Sequence, residues 1–461
     1  MASLRLDEIA ERTGGRITRG SPGLLFGKFG IDSRLTVPGE LFFAIAGRRD
    51  GHAFVSDAAS RGAAGAVVSE RVAVTDASFG LLEVRDTAAA LRDLARSVLG
   101  DSGAKVVGIT GSIGKTTTKE FAAELLSSRF RVLKSEGNFN NRLGLPLSLL
   151  RIEPVHEAAV LEMGMSAAGE IRELTVIAPP DVAVITNVHP VHLQFFRGLD
   201  EIARAKREIL EGAKEGATAV LNGDDPLVME MAAGWKGPKL TFGLTPTCDV
   251  RAEDIKHKSF EGLEFLLRSG TEMARVGIPF VNESVVPNLL AAVGVCRSFG
   301  LSIEDLLPKI EGLRPLPMRG VLVELKGSVR LYDDSYNSNP SALEAALRSL
   351  HELPAKRKVA VLADMLELGP NEVPFHRRAG ADVVRWGWDL LITVGPLAAH
   401  IGAGAAEAGM DPRRIHSYLD AEAASGGILK LIHDGDLVLV KGSRGMKAER
   451  IVNTLKTRGR G

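Results

Sequence analysis

Residues 105–118 read KVVGITGSIGKTTT, and no other stretch limits the fold as tightly. An apolar run meets glycines, then the pair Lys115-Thr116, then a helical pattern that continues to Leu126. Glycines let backbone amides approach phosphate oxygens, and the first turn of a helix favours an anion. In such a loop Lys115 reaches the β- and γ-phosphates and the Thr116 hydroxyl holds Mg²⁺. The general pattern places a glycine five residues before Gly114, where this chain has Ile109, with Gly108 and Gly111 on either side. Strand, loop, Lys-Thr pair and helix nevertheless agree, so the segment predicts a phosphate-binding loop at the carboxyl end of a parallel-sheet strand.

The flanking sequence fits that sheet. The apolar runs 158–161, 182–185 and 219–221 are too short for helices and read as buried parallel strands. Upstream, Leu41–Ile45 and Gly65–Val68 read as strands, and Ala53–Arg61 and Ala88–Leu99 as helices, before a break at Gly100–Gly103. A second break at Arg314–Pro317 precedes apolar runs at 359–362, 390–394 and 437–440. The expectation is an α/β protein of three domains: an N-terminal α/β domain over 1–102, a central P-loop ATPase-like parallel-sheet domain over 103–316, and a C-terminal Rossmann-like domain over 317–461. A length of 461 residues points to the same number at about 150 residues per domain.

Composition narrows the function. Lys plus Arg and Asp plus Glu both total 57, so the net charge is zero, which argues against a general nucleic-acid or membrane-surface binder. No apolar run reaches the roughly 20 residues of a membrane span. Cys248 and Cys296 cannot build a disulfide framework or a cysteine-based zinc site. Asp7 and Glu8 stand where a signal peptide needs basic and then apolar residues. We expect a cytoplasmic, monomeric enzyme without nucleic-acid partners or membrane insertion.

Ligands of open parallel sheets sit beyond the carboxyl ends of the strands. One such end carries Glu162; another carries Asn187, followed by His189 and His192. Magnesium prefers oxygen donors, so direct contact with His192 would be unusual, and Glu162 reads equally as a metal ligand or a capping residue. The helical segment 200–213, with Asp200 as its N-cap, puts Lys206 on one face with Ile202, Ile209, Leu210 and Ala213, while Arg204, Arg207 and Glu208 point away. A lysine on a buried face either snorkels to water or loses its proton. A neutral amine can add CO₂ and become a carbamate, which exchanges a cation for a carboxylate-like metal ligand.

In this order, residues 110–116 (TGSIGKT), Glu162 with Gly164, Asn187 with His192, and Ala205-Lys206 resemble the Mur ligases, ATP-dependent ligases of cell-wall precursor synthesis. Further segments are similar to the branch of that family that joins D-alanyl-D-alanine to a UDP-N-acetylmuramoyl-tripeptide. They fall into five groups: 32–34 (DSR) with 38–39 (PG) and 50–52 (DGH), 138–141 (NFNN) with 144–146 (GLP), 333–340 (DDSYNSNP), 362–369 (LADMLELG) and 441–444 (KGSR).

The resemblance implies Lys115, His192, Lys206 and Arg319 as catalytic residues. It implies a metal shell of Thr116, Glu162, His192 and carbamylated Lys206. ATP contacts would come from Gly111, Ser112, Ile113, Gly114, Lys115, Thr116, Thr117, Asn288, Arg319, Asp333, Tyr336 and Asn337. Ser33, Arg34, Asn138 and Asn141 would meet the uridine-linked substrate, and Asp334, Asn337, Ser443 and Arg444 the dipeptide. The chain departs from the family at Ser284, Gln194, His189 and Arg142, where other residues are common.

Two further expectations concern the third domain. The run 437–440 leads into 441–445 and a helical pattern, a second anion site at a helix start or else a plain turn. His376 is a candidate general base by residue type only, a structural role being the alternative. The rival readings are a sibling ligase that adds a single amino acid, a folate polyglutamate ligase, and a P-loop binding switch.

Overall fold

The computed structural model describes residues 3–47, 49–74, 76–191 and 193–457. Among these residues the strands form three large sheets and one small two-stranded ladder. The first large sheet has five strands, in the order Arg16–Arg19, Gly80–Glu83, Gly65–Val68, Leu41–Phe43, Phe29–Gly30; only the first pairing is antiparallel. Its long helix, Thr87–Ser102, starts where the Asp86 carboxylate accepts from the Ala88 and Ala89 amides and stops at Gly103, whose φ is +66°. The helix expected over 53–61 is divided: a 3₁₀ turn at Gly51–Phe54, capped by Asp50, precedes the helix Val55–Ser60.

The central sheet has nine strands. Lys105–Thr110 lies between Ala158–Glu162 and Val182–Ile185, with Val132–Lys134 outside the former and Thr218–Asn222 and Lys239–Gly243 beyond the latter, all parallel. Every residue of Val182–Ile185 and of Ala158–Glu162 is buried, as helices on both faces require of a parallel sheet. Ile109 is fully buried in the central strand, which explains the missing glycine: the extended strand runs to Thr110 and the turn begins only at Gly111. Val250–His257 pairs in parallel with Lys239–Gly243, and Leu263–Ser269 and Glu272–Ile278 complete the sheet antiparallel.

The third sheet runs Val321–Leu325, Val329–Asp334, Asp436–Lys441, Arg357–Ala363, Leu390–Val394, Ile415–Tyr418, parallel except at the first pair. One apolar cluster spans the first two sheets, from Leu6 and Phe43 to Leu145 and Leu161, so the two units share a core rather than a hydrated gap. No described helix is long and apolar enough to cross a membrane.

Candidate active site

Three strand ends converge because of register. Ile109 pairs with Glu162 on one side, and Thr110 with Ile185 on the other. Glu162 and the Thr186-Asn187 corner therefore flank the loop that leaves the central strand. Gly111 (φ +150°) and Gly114 (φ +85°) adopt backbone angles that disfavour side chains, and a Cβ on Gly114 would overlap Asn288 Oδ1. Asn187 clamps the loop: its carbonyl accepts from the Ser112 amide at 3.0 Å, its Oδ1 from the Ile113 amide at 2.9 Å, and its Nδ2 donates to Ile113 O at 3.1 Å. Thr186 Oγ1 donates to the same carbonyl at 2.7 Å.

The helix Lys115–Leu126 starts directly after Gly114. Lys115 Nζ folds back over the loop onto Gly111 O at 2.7 Å and Ser112 O at 3.3 Å. Desolvation lowers its pKa, as does nearby Arg319, while Glu162 opposes the shift. Thr116 Oγ1 donates to Glu162 Oε2 at 2.8 Å and accepts from Arg319 Nη2 at 3.2 Å. Glu162, only 3% exposed, also accepts from Asn140 Nδ2 at 2.8 Å through Oε1. A hydroxyl and a fixed carboxylate side by side are the hard oxygen donors that suit Mg²⁺.

Lys206 is 2% exposed on the helix Leu199–Glu211. Burial drives its pKa well below the ordinary lysine value, and the positive charge of Lys115 acts in the same direction. The buried-face reading therefore holds over the snorkelling one. Two details of that helix differ from expectation. Gly198 precedes its first residue and Asp200 lies inside the first turn. Glu208 does not point to solvent: it is buried, accepting from the Gly169 and Arg172 amides at 2.7 and 3.0 Å, and so caps the neighbouring helix Glu170–Ile177.

A cavity of about 830 Å³ opens over the loop, between the central and third sheets. It is lined by Ser112, Ile113, Gly114, Lys115, Thr116, Thr117, Asn138, Glu162, Asn288, Arg319, Asp334, Tyr336 and Asn337, among others. The Arg319 guanidinium stacks on the Tyr336 ring at 4.0 Å. Asn288 accepts from Thr118 Oγ1 at 3.3 Å. Lys441, 3% exposed, pairs with Asp334 at 2.5 Å and donates to Asn337 O at 3.0 Å. A second cavity of about 350 Å³ shares Lys115 and Asn140 with the first and is lined by Asn141 and Arg142.

Other expected contacts lie elsewhere. Asp333 does not line either cavity; it is buried and accepts from Ser335 Oγ at 2.5 Å. Ser443 is buried between Leu366 N and Ser338 O. Arg444 pairs with Glu449 at 3.2 Å and sits 5.6 Å from the Tyr336 ring centre. The second anion site is not formed as a helix start: a 3₁₀ turn at Arg444–Met446 and Lys447, whose φ is +53°, delay the helix to Glu449. Ser33 and Arg34 stand in the first domain, with Arg34 paired to Asp32 at 2.6 Å, and line neither cavity. His376 is fully buried, accepting from Met365 N and bonded to Glu372 O, a structural role. His192 falls outside the described residues.

Sequence reasoning passed over Asn140 as an individual, Ser135 and Lys119. The Ser135 hydroxyl accepts from Glu162 N at 3.2 Å. Lys119 is fully buried and donates to Ser135 O at 2.7 Å and Gly137 O at 3.3 Å. Its position on the phosphate-loop helix, one turn after Lys115, was the available signal.

Comparison with known proteins gives the chain's family. Residues 109–296 match the model of the Mur ligase middle domain, and residues 318–444 that of the Mur ligase, glutamate ligase domain. The UDP-N-acetylmuramoyl-tripeptide–D-alanyl-D-alanine ligase of Bacillus subtilis is 37% identical over 426 residues, 92% of each chain. The UDP-N-acetylmuramoylalanyl-D-glutamyl-2,6-diaminopimelate–D-alanyl-D-alanyl ligase of Acinetobacter baumannii superposes with a TM-score of 0.87 at 29% identity, covering 99% of this chain and 98% of that one. The MurF ligase of Thermotoga maritima in complex with ADP gives a TM-score of 0.82 at 32% identity over 94% and 98% of the two chains. Kinship that spans nearly the full length of both partners, and not the phosphate loop alone, establishes that the chain belongs to the Mur ligase family.

Proposed function

We propose that the chain joins the free amine of D-alanyl-D-alanine to the terminal carboxylate of a UDP-N-acetylmuramoyl-tripeptide, converting ATP to ADP and phosphate. A carboxylate does not react with an amine in water unless it is activated. The tripeptide carboxylate oxygen attacks the γ-phosphorus and ADP leaves, giving an acyl phosphate. The dipeptide amine then adds to the carbonyl carbon, a proton leaves the nitrogen, and the C–O bond to phosphate breaks. Both reactants of the first step are anions, so the protein's task is charge compensation and alignment.

The residues divide that task. Lys115 and Arg319 set two cations beside the loop, and the Tyr336 ring backs the guanidinium. Asn187 fixes the loop itself, and Asn288 accepts from Thr118 on the helix that follows it. Magnesium, when bound, offsets phosphate charge, with Thr116 and Glu162 as its donors and His192 and carbamylated Lys206 for a second ion. Asn138 and Asn141 meet the uridine-linked substrate together with Ser33 and Arg34, and Asp334 and Asn337 meet the dipeptide. Because these contacts come from 1–102, 103–316 and 317–461, binding draws the three parts together.

The observation that supports this reading is the Lys115–Thr116–Glu162–Arg319 junction in the larger cavity, whose Lys115 also lines the smaller one, an arrangement suited to a nucleotide on one side and a second anion on the other. ADP release, assayed with UDP-linked tripeptide with and without D-alanyl-D-alanine, tests it. The reading requires steady turnover only with both, and its loss in Lys206→Ala. Turnover with a single amino acid in place of the dipeptide would favour a sibling ligase. Hydrolysis of ATP without an acceptor would favour a binding switch.

A further inference from the structure

The smaller cavity shares Lys115 and Asn140 with the nucleotide side and is lined beyond them by Arg142, Glu170 and Leu174, among others. Besides Lys115 its lining therefore carries one guanidinium and one carboxylate. Arg142 is exposed and forms no ion pair among the described residues. Glu170 is held in place: its Oε2 accepts from the Ser166 amide at 2.6 Å and the Ala167 amide at 3.2 Å. Nothing in the reaction chemistry above uses either charge.

A carboxylate presented to Lys115 through this cavity carries its own side chain toward Arg142 and Glu170. We infer that Arg142 and Glu170 select the third residue of the tripeptide, favouring a side chain that ends in both a carboxylate and an ammonium, as in 2,6-diaminopimelate. This rests on the ligase reading above. Arg142 offers a planar fork that matches a carboxylate, and Glu170 accepts from an ammonium. A lysine side chain ends in the ammonium alone. It can satisfy Glu170 but leaves Arg142 without a partner and brings a second cation next to it. A site that pairs a polar group of one substrate discriminates against the analogue that lacks it. The two residues act as specificity determinants and take no part in the chemical steps.

The test is kcat/KM of the purified full-length protein, with ATP and D-alanyl-D-alanine, for two UDP-linked tripeptides that differ only in carrying diaminopimelate or L-lysine third. The parent protein prefers diaminopimelate by about tenfold or more. Arg142→Ala brings the ratio toward one by raising KM for the diaminopimelate substrate, and Arg142→Lys restores part of it. Equal efficiency of the two substrates in the parent, or a ratio that survives Arg142→Ala, overturns the inference and leaves the ligase reading intact. Turnover of neither tripeptide overturns the ligase reading and this inference with it.

Discussion

Asn140→Ala probes the site at its least obvious joint. The Asn140 amide donates to Glu162 Oε1 at 2.8 Å while Thr116 holds Oε2. Asn140 is itself fixed, since its carbonyl accepts from the Gly164 amide at 2.8 Å and Gly164 has no Cβ that would press on it. Truncation leaves one oxygen of a carboxylate that is 3% exposed without that donor. A hydrogen bond to a charged group contributes about 1.5–3 kcal/mol. If that loss is felt while charge moves between ATP and the carboxylate, kcat falls by roughly 10- to 150-fold. Asn140→Asp, which sets a second carboxylate against Glu162, falls further. The assay is ADP release at saturating substrates and Mg²⁺, with thermal melts alongside to separate misfolding from misplacement. A kcat within about twofold of the parent would refute the claim that Asn140 positions Glu162.

Three other outcomes follow from the same geometry. Gly114→Ala forces a side chain into positive φ and against Asn288, so the KM for ATP rises by about tenfold or more, read by ATP titration of initial rates. Arg319→Lys keeps the charge but loses the fork and the stacking on Tyr336, so kcat falls by about tenfold or more while the melting temperature stays close to the parent's, read by ADP release and thermal melts. Lys206→Met tests the buried amine. Its depressed pKa means that the unfolded chain binds a proton the folded chain does not, so parent stability rises with pH between the depressed value and the ordinary 10.5. In bicarbonate-depleted, metal-free buffer the methionine variant melts higher than the parent at neutral pH, and the gap closes as pH approaches the ordinary value; a constant gap contradicts the burial argument.

Patterns that depend on one segment were legible in the amino-acid order. The glycines of 111–114 with Lys115 defined the loop, and helical spacing put Lys206 indoors. What depended on a second segment was not legible. Glu208 looks like a solvated helix residue until Gly169 and Arg172 present their amides to it. Asn140 gains its role only because the strand Ala158–Glu162 brings a carboxylate to it. The alternation of Val250–His257 with Leu263–Ser269 and Glu272–Ile278 encodes an antiparallel extension, which the βα rhythm of the earlier strands obscured. Asp333 and Asp334 are neighbours in sequence, yet successive strand residues face opposite ways, so only Asp334 lines the larger cavity.

The central claim is that a carboxylate oxygen becomes bonded to phosphorus on the way to the amide, and an oxygen label tests it directly. With ¹⁸O in the terminal carboxylate of the UDP-linked tripeptide, phosphate released in the presence of D-alanyl-D-alanine carries one labelled oxygen per turnover, because the oxygen that attacks phosphorus leaves with it. Phosphate free of label, formed as fast as the amide, would contradict the account.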